Sequence, residues 1–290
     1  MDLSNHLQRK ELVLQIEKDI DAFCRQEFTE ERRTHLGASV IGDPCQAKNW
    51  NGFRWLNTED HDGRMLRLFN RGHEEEKRFL RWLIGIGFEV REHDPETQKQ
   101  YRITGAKGHF GGSLDAIMKA PERYNIPSNN VVWLGEFKTH GLKSFDKLKK
   151  EGLIRSKPIH YKQMNSYGRA YGLEYGLYCA VNKNDDELYF EIVKLDWLDA
   201  DDMFRKAENI VFSQKQPPKI AMTETFFDCK YCHFKGICHK GELPTKNCRS
   251  CINAVAVDDA QWYCEKWLAI IPKEVIPEGC DAWKAIINAP

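Results

Sequence analysis

The sequence predicts an α/β fold carrying a small cysteine-rich, metal-binding C-terminal appendage. Three observations predict it. A long amphipathic helical stripe precedes a series of short strand-like runs, a second helical segment separates these from two further strand candidates, and closely spaced cysteines crowd the last quarter of the chain. With 290 residues, 41% of them hydrophobic and 30% charged, the chain is long enough to bury a substantial core and too apolar for a disordered tail.

Over residues 8–28, Leu12, Leu14, Ile16, Ile20 and Phe23 alternate with charge and predict a helix. The next stretch, 35–50, is punctuated by Gly42, Asp43 and Pro44 and reads as loop, with Cys45 alone in it. From Arg64 to Ile84, Leu68, Phe69, Phe79, Leu80 and Leu83 recur at three- and four-residue steps, one face of a helix. His73 and Glu76 fall on that stripe. A buried carboxylate is costly unless compensated, so Glu76 calls for a cation, a metal or a hydrogen-bond donor, unless the stripe reaches solvent there.

Strand-like runs follow at 87–94, 100–105, 108–120 and 131–140, separated by Gly, Pro and Asn, and read as a meander. A helix is expected over 160–171, strands over 176–183 and 187–196, and a helix over 199–215 ahead of Pro217 and Pro218. No leader and no run of about 18 apolar residues is present, which points to a cytoplasmic protein rather than a secreted or membrane-inserted one.

The formal net charge is zero, so attraction to a polyanion must come from local segregation of charge. Residues 143–162 supply it: Lys143, Lys147, Lys149, Lys150, Arg155, Lys157 and Lys162 against Asp146 and Glu151. By itself such a run is equally a solvated face.

In VVWLGEFKTH, strand alternation puts Glu136 and Lys138 on one side of the pleat. Asp115, in GGSLDAIM, is placed by the preceding strand where its carboxylate can stand beside Glu136, the glycines allowing close backbone approach. Two neighbouring carboxylates repel unless they share a proton or a divalent cation, and Mg²⁺ or Mn²⁺ favours such oxygens. Asp115 and Glu136, with the Phe137 carbonyl, are the expected metal ligands. Lys138 is expected to orient or deprotonate a water and to offset charge on a phosphate. Asp, Glu, Lys and a divalent ion together meet the needs of phosphodiester hydrolysis.

Taken in order, GGSLDAIM, LGEFKTH and YKQMNSYGRAYG resemble the motifs of the PD-(D/E)xK nuclease superfamily, closest to its RecB- and Cas4-like members, and RGHEEEKRFL resembles their upstream helical motif. The resemblance implies a restriction-endonuclease-like core, a mixed central sheet flanked by helices, and Mg²⁺- or Mn²⁺-dependent cleavage of DNA. It also implies that Glu76 or His73 completes the metal shell, without deciding between them. Gln163 and Tyr167, one turn apart and on one helix face, would contact DNA near the scissile phosphate; ordinary half-buried packing is the alternative for Tyr167 and Tyr171. The basic stretch before Gln163 then becomes a loop that tracks phosphates.

FDCKYCHFKGIC brings Cys229, Cys232 and Cys238 together, and a tetrahedral thiolate site needs a fourth ligand, for which Cys45 is the candidate. One early cysteine plus this late cluster resembles the iron–sulfur nucleases of the Cas4 and AddB type and implies a 4Fe–4S cluster, although Zn²⁺ suits the same four thiolates. Cys248, Cys251, Cys264 and Cys280, interleaved with Trp262, Trp267 and Trp283, form a second set; a segment this short needs a structural Zn²⁺ to fold. His233 and His239 are substitute ligands, and Cys24 and Cys179 read as core. The expected division is a nuclease domain over 1–240 and a zinc-ribbon-like module over 241–290, similar to extensions in phage-encoded relatives. The expected activity is that of a DNA exonuclease in phage or bacterial recombination, replication or repair, acting on single-stranded or duplex ends with a recombination or replication partner. The competing reading is a non-catalytic nucleic-acid-binding or assembly module scaffolded by metal clusters.

Overall fold

The computed structural model describes residues 6–28, 32–57, 61–124 and 131–287. In chain order the elements are α1 (His6–Glu27), β1 (Leu36–Gly37), α2 (Ala38–Ile41), α3 (Gln46–Phe53), α4 (Gly63–Gly85), β2 (Glu89–Arg91), β3 (Arg102–Gly105), β4 (Phe110–Ser113), β5 (Ala116–Lys119) and β6 (Val132–His140). There follow α5 (Leu142–Ser156), α6 (Pro158–Tyr171), β7 (Tyr175–Asn182), β8 (Leu188–Lys194), α7 (Trp197–Phe212), α8 (Phe227–Lys230), α9 (Lys235–His239), β9 (Ala254–Ala256), β10 (Trp262–Cys264) and β11 (Ala269–Ile270). The α/β expectation holds: a five-stranded mixed sheet in the order β2-β5-β6-β7-β8 is flanked by helices. The pair β6 and β7 is parallel, joined through α5 and α6, and the other neighbours in this sheet are antiparallel.

Each face of the sheet has its own apolar layer. On one, α4 lays Phe79, Leu80 and Leu83 over Ala116, Met118, Phe137 and Cys179. The Phe79 and Phe137 rings stack with centroids 5.4 Å apart. Asp62 starts this helix as its N-cap, its carboxylate accepting from Met65 N at 2.7 Å. On the other face, Leu134, Tyr178 and Ala180 meet Met164 and Tyr167 of α6, with α2 and α7 behind. The alternation of β6 therefore sends Phe137 under α4 and Glu136 under α6.

The strands are not one meander. The run 108–120 is two strands in two sheets: β4 pairs with β1 and β3, whereas β5 pairs with β2 and β6. Leu114 and Asp115 are the step between them, which explains how a single apolar run serves both. The stretch 35–50, expected to be loop, contributes β1, α2 and α3, because Leu36, Ala38, Ile41, Ala47 and Trp50 are all buried. The basic stretch is likewise a helix rather than a loop. Phe145, Leu148 and Leu153 anchor α5, and Gly152, at φ 72°, breaks it so that Leu153 N can donate to Glu191 Oε2 at 2.7 Å.

The C-terminal segment shares the main apolar cluster: Trp262, Ile271 and Ile276 belong to the same buried group as Trp50 and Phe53. Two buried arginines rivet it. Arg54 Nη1 donates to the carbonyls of Arg249 and Ala254 at 3.3 and 2.8 Å, and its Nη2 to that of Ser213 at 3.0 Å. Arg249 Nη1 donates to Thr34 O at 3.1 Å, and its guanidinium lies 4.4–4.8 Å from the ring centres of Trp55, Phe53 and Trp262. No helix among the described residues is long and apolar enough to cross a membrane.

Candidate active site and cysteine pockets

Strand β6 is flanked by β5 and β7, so a side chain on its α6 face is sealed in on every side. Glu136 sits there with 0% of its surface exposed. Its carboxylate touches the Lys138 ammonium, which also lies 3.7 Å from Asp115 Oδ2 and 3.0 Å from the Phe137 carbonyl. Asp115 Oδ2 accepts in turn from Phe137 N at 2.8 Å, tying the step between the two sheets to the central strand. Burial, together with the neighbouring Asp115 and Glu76 charges and against the pull of Lys138, pushes Glu136 up to about 8. Although burial opposes its charge, the Glu136 and Asp115 carboxylates hold Lys138 above its ordinary range. An ammonium held this firmly is a cation and donor rather than a base for water.

Glu76 comes from α4 to the edge of this group. Its side chain is 38% exposed and 3.8 Å from His73 Nδ1, so the helical stripe does reach solvent here; burial and then Asp115 raise it. The buried carboxylate of this helix is its neighbour Glu75, held by both oxygens to Arg78 Nη1 at 2.7 and 2.8 Å. His73 lies farther out, 57% exposed at the rim. Gln163 and Tyr167 project from one face of α6, with Gln163 Nε2 donating to Tyr167 Oη at 3.2 Å. Tyr167 is buried and, mainly through that burial and then the Glu136 charge, raised above its usual range. Gly112 makes room for it: a Cβ there would stand 2.6 Å from Tyr167 Oη. Tyr171 instead packs at the surface, exchanging hydrogen bonds of 2.9 Å with the backbone of Arg102.

Of these groups, Glu76, Phe137 and Lys138 line a polar cleft of about 350 Å³, together with His140, Ser144, Lys157 and His160. Lys157 belongs to the basic stretch noted in the sequence, whereas His140, Ser144 and His160 were not singled out there. For His140 a signal existed, since the alternation that pairs Glu136 with Lys138 extends two residues further to it. For His160 the signal is the three-residue step to Gln163 on the same helix face.

Among the described residues, no three His, Cys, Asp or Glu side chains stand together closely enough to hold a metal as they are. The chemistry of the β6 group nonetheless fits a divalent cation. Glu136 Oε2 is buried and receives no hydrogen bond, and the oxygens of Asp115, Glu136 and Phe137 already converge on one positive group, the Lys138 ammonium.

Both cysteine sets face shared cavities. Cys45, Cys229, Cys232 and Cys238 line one of about 250 Å³, to which His239, Lys48 and Lys219 also contribute. Asn51 Nδ2 lies 3.3 Å from Cys238 Sγ. Burial and the neighbouring sulfurs raise the thiols of Cys229, Cys232 and Cys238. Cys248, Cys251, Cys264 and Cys280 line a second, mostly apolar cavity of about 240 Å³. Burial, then Cys280, Cys251 and Cys264, push Cys248 up to about 11. Thiols that raise one another favour staying protonated until a cation takes the charge. His233 is not on the first cavity; its ring contacts Phe234. Cys24 and Cys179 are buried in the core.

The chain is similar to several solved structures at low identity. One is the crystal structure of the protein SSO0001, with 17% identity and a TM-score of 0.44 over 77% of this chain and 96% of that one. A second is an alkaline exonuclease of Laribacter hongkongensis, with 15% identity and a TM-score of 0.41 over 64% of this chain and 90% of that one. The same exonuclease in complex with dAMP matches over the same shares with a TM-score of 0.40 and 15% identity. No protein-family model matches the chain, and no curated protein does.

Proposed function

We propose that this protein is a divalent-metal-dependent DNA nuclease that hydrolyses phosphodiester bonds in the cleft beside β6. The observation that carries the reading is Glu136: a carboxylate sealed in the sheet, one oxygen without a donor, pressed against Lys138 and next to Asp115. Burying such a carboxylate costs stability and serves no packing purpose, so its use lies in what it holds. Asp115, Glu136 and the Phe137 carbonyl are the residues to hold Mg²⁺ or Mn²⁺, with Glu76 completing the set; His73, farther out at the rim, is the weaker candidate. Bound there, the ion supplies Lewis-acid stabilisation of charge on the scissile phosphate.

The chain's own groups do the rest. Lys138, kept charged by its neighbours, would offset the negative charge developing on the phosphate. The Gln163 and Tyr167 pair, rigid on α6, fixes the substrate backbone against β6. On α5, Lys147 and Lys149 are paired with Glu151 and Glu187. Lys143, Lys150 and Arg155 have no ion pair among the described residues and are the part of the basic stretch free to follow DNA phosphates.

The finer reading is an exonuclease acting on DNA ends in recombination, replication or repair in a bacterial or phage-infected cytoplasm. Its chain closes through a four-thiolate cluster at Cys45, Cys229, Cys232 and Cys238, iron–sulfur in preference to zinc. Residues 241–290 then form a zinc-ribbon-like module on Cys248, Cys251, Cys264 and Cys280. The resemblance of the ordered sequence motifs supports this, as does the convergence of each cysteine set on one cavity.

The test is anaerobic purification, metal analysis, and incubation of wild type and Glu136→Ala with end-labelled linear and circular DNA in Mg²⁺, Mn²⁺ or EDTA. Metal-dependent degradation by wild type alone is expected, with circles spared. Binding without cleavage under every metal would replace the enzyme by a nucleic-acid-binding scaffold.

A further inference from the structure

The cleft carries polar groups that the chemistry above leaves unused, and they are linked. Lys157 Nζ lies 2.5 Å from Ser144 Oγ, which lies 3.4 Å from His140 Nδ1. His140 Nε2 and His160 Nδ1 are each 2.8 Å from Tyr178 Oη, and the two imidazoles stack with centroids 5.8 Å apart. Tyr178 and His140 are buried in the sheet, and His140, Lys157, Ser144 and His160 border the cleft.

Taken from the lysine end, the hydrogen bonds of this chain run in one self-consistent direction. An ammonium has protons and no lone pair, so Lys157 donates to Ser144. Ser144 then has its own proton for His140 Nδ1. A neutral imidazole accepting at Nδ1 carries its proton on Nε2, so His140 donates to Tyr178 Oη. Tyr178 passes its proton to His160 Nδ1, which leaves the His160 proton on Nε2. No hydrogen bond reaches His160 Nε2 from the described residues, and the ring borders the cleft. Both imidazoles stay neutral, because burial, with the Lys138 and Lys157 charges on either side, lowers His140 to about 4 and His160 to about 3.

We propose that the Lys157–Ser144–His140–Tyr178–His160 chain locks His160 as the Nε2–H tautomer, making it a fixed, uncharged donor to a non-bridging oxygen of a phosphodiester bound beside Lys138. The identity of the anion rests on the nuclease reading; the tautomer does not. An uncharged donor suits this position, since a second cation next to Lys138 would repel it, while a polarised neutral N–H still strengthens a phosphate contact. His160 is thereby a substrate-positioning residue.

Long-range ¹H–¹⁵N spectra of the metal-free wild type at neutral pH test the lock directly. Both His140 and His160 are expected as Nε2–H tautomers; an Nδ1–H or doubly protonated His160 overturns it. The contact is tested by the affinity of the cleavage-deficient Glu136→Ala protein for a short single-stranded deoxyoligonucleotide. Adding His160→Phe is expected to weaken binding about tenfold, as for loss of a hydrogen bond to a charged group, and His160→Gln to restore part of it. Adding Tyr178→Phe keeps the His160 ring and populates its other tautomer, with a smaller loss of about threefold, of the order of one neutral hydrogen bond. Unchanged affinity in His160→Phe overturns the contact. If the wild type cuts no DNA and the Glu136→Ala protein binds none, the nuclease reading falls. A titration with inorganic phosphate, followed at the His160 Nε2–H resonance, then decides the donor role: a shift sustains it and no shift removes it.

Discussion

Two pairs of buried charges are handled in opposite ways. Glu136 and Lys138 are of opposite sign and in contact, with Glu136 buried and Lys138 bordering a cleft. Arg54 and Arg249 are of the same sign, 0% and 1% exposed, and face only carbonyls and aromatic rings. A guanidinium keeps its proton, so burying two together is a fixed cost met by fixed, neutral partners. An ammonium among three oxygens is different: on the proposed reading the same oxygens hold a divalent ion. On that reading the first pair exchanges its occupant, and the second stays as it is.

The comparison can be broken at its exchangeable pair. Glu136→Ala is expected to lower DNA cleavage by at least about 10³-fold, the scale for losing a principal transition-state group, while leaving the fold intact. Steady-state rates with matched circular dichroism check this; a variant within tenfold of wild type would remove Glu136 from the site. At the fixed pair, Arg249→Ala empties the space between Trp55, Phe53 and Trp262 and cuts the tie to Thr34. A loss of about 2–4 kcal/mol is expected in urea unfolding, as for truncating a large packed side chain. A neutral result would mean the aromatic residues hold the segment without their cation.

A third measurement sharpens the exchange itself. Glu136 is raised to about 8, so below that pH it holds a proton that a metal must displace. Metal binding therefore releases protons and strengthens as pH rises toward 8, by up to about tenfold per unit for one proton. Calorimetry of Mn²⁺ binding in buffers of different ionisation enthalpy reads the proton directly. Affinity that is flat between pH 6 and 8 would show that Glu136 is already ionised before the metal binds. Smallest in effect is Gly112→Ala, whose Cβ crowds Tyr167 Oη and Ala38 Cβ, at 2.6 and 3.0 Å. Cleavage slowed by about three- to tenfold is expected, the scale for a displaced positioning group, with little change in stability. Full activity would show that Tyr167 can move without consequence.

What could be read in the sequence was whatever a single element determines. The alternation of β6 places Glu136 and Lys138 on one side from local geometry alone, and the stripe of α4 predicts Phe79, Leu80 and Leu83 as its buried face. Where two elements share a decision, local reading stops short. The run around Asp115 looks like one strand because both sheets need apolar residues there. Glu76 and Glu75 are adjacent, and which is buried depends on where Arg78 points. In α5 the spacing of Phe145, Leu148 and Leu153 was present but outweighed by seven nearby basic residues that suggested a loop. The link from Lys157 to His160 joins β6, β7 and two helices, and no period within any one of them encodes it.

The arginine rivets also bear on when the molecule can be finished. Arg54 finds its carbonyl partners 195 and 200 residues further along the chain. During synthesis, therefore, Trp50, Phe53 and Arg54 leave the ribosome long before the residues that cover them exist. An emerging chain holds an unfinished apolar surface until Trp262 arrives, and the contacts that close it are among the slowest class to form. Closure of this part of the core is therefore tied to the arrival of the segment that carries Arg249, Ala254 and Trp262.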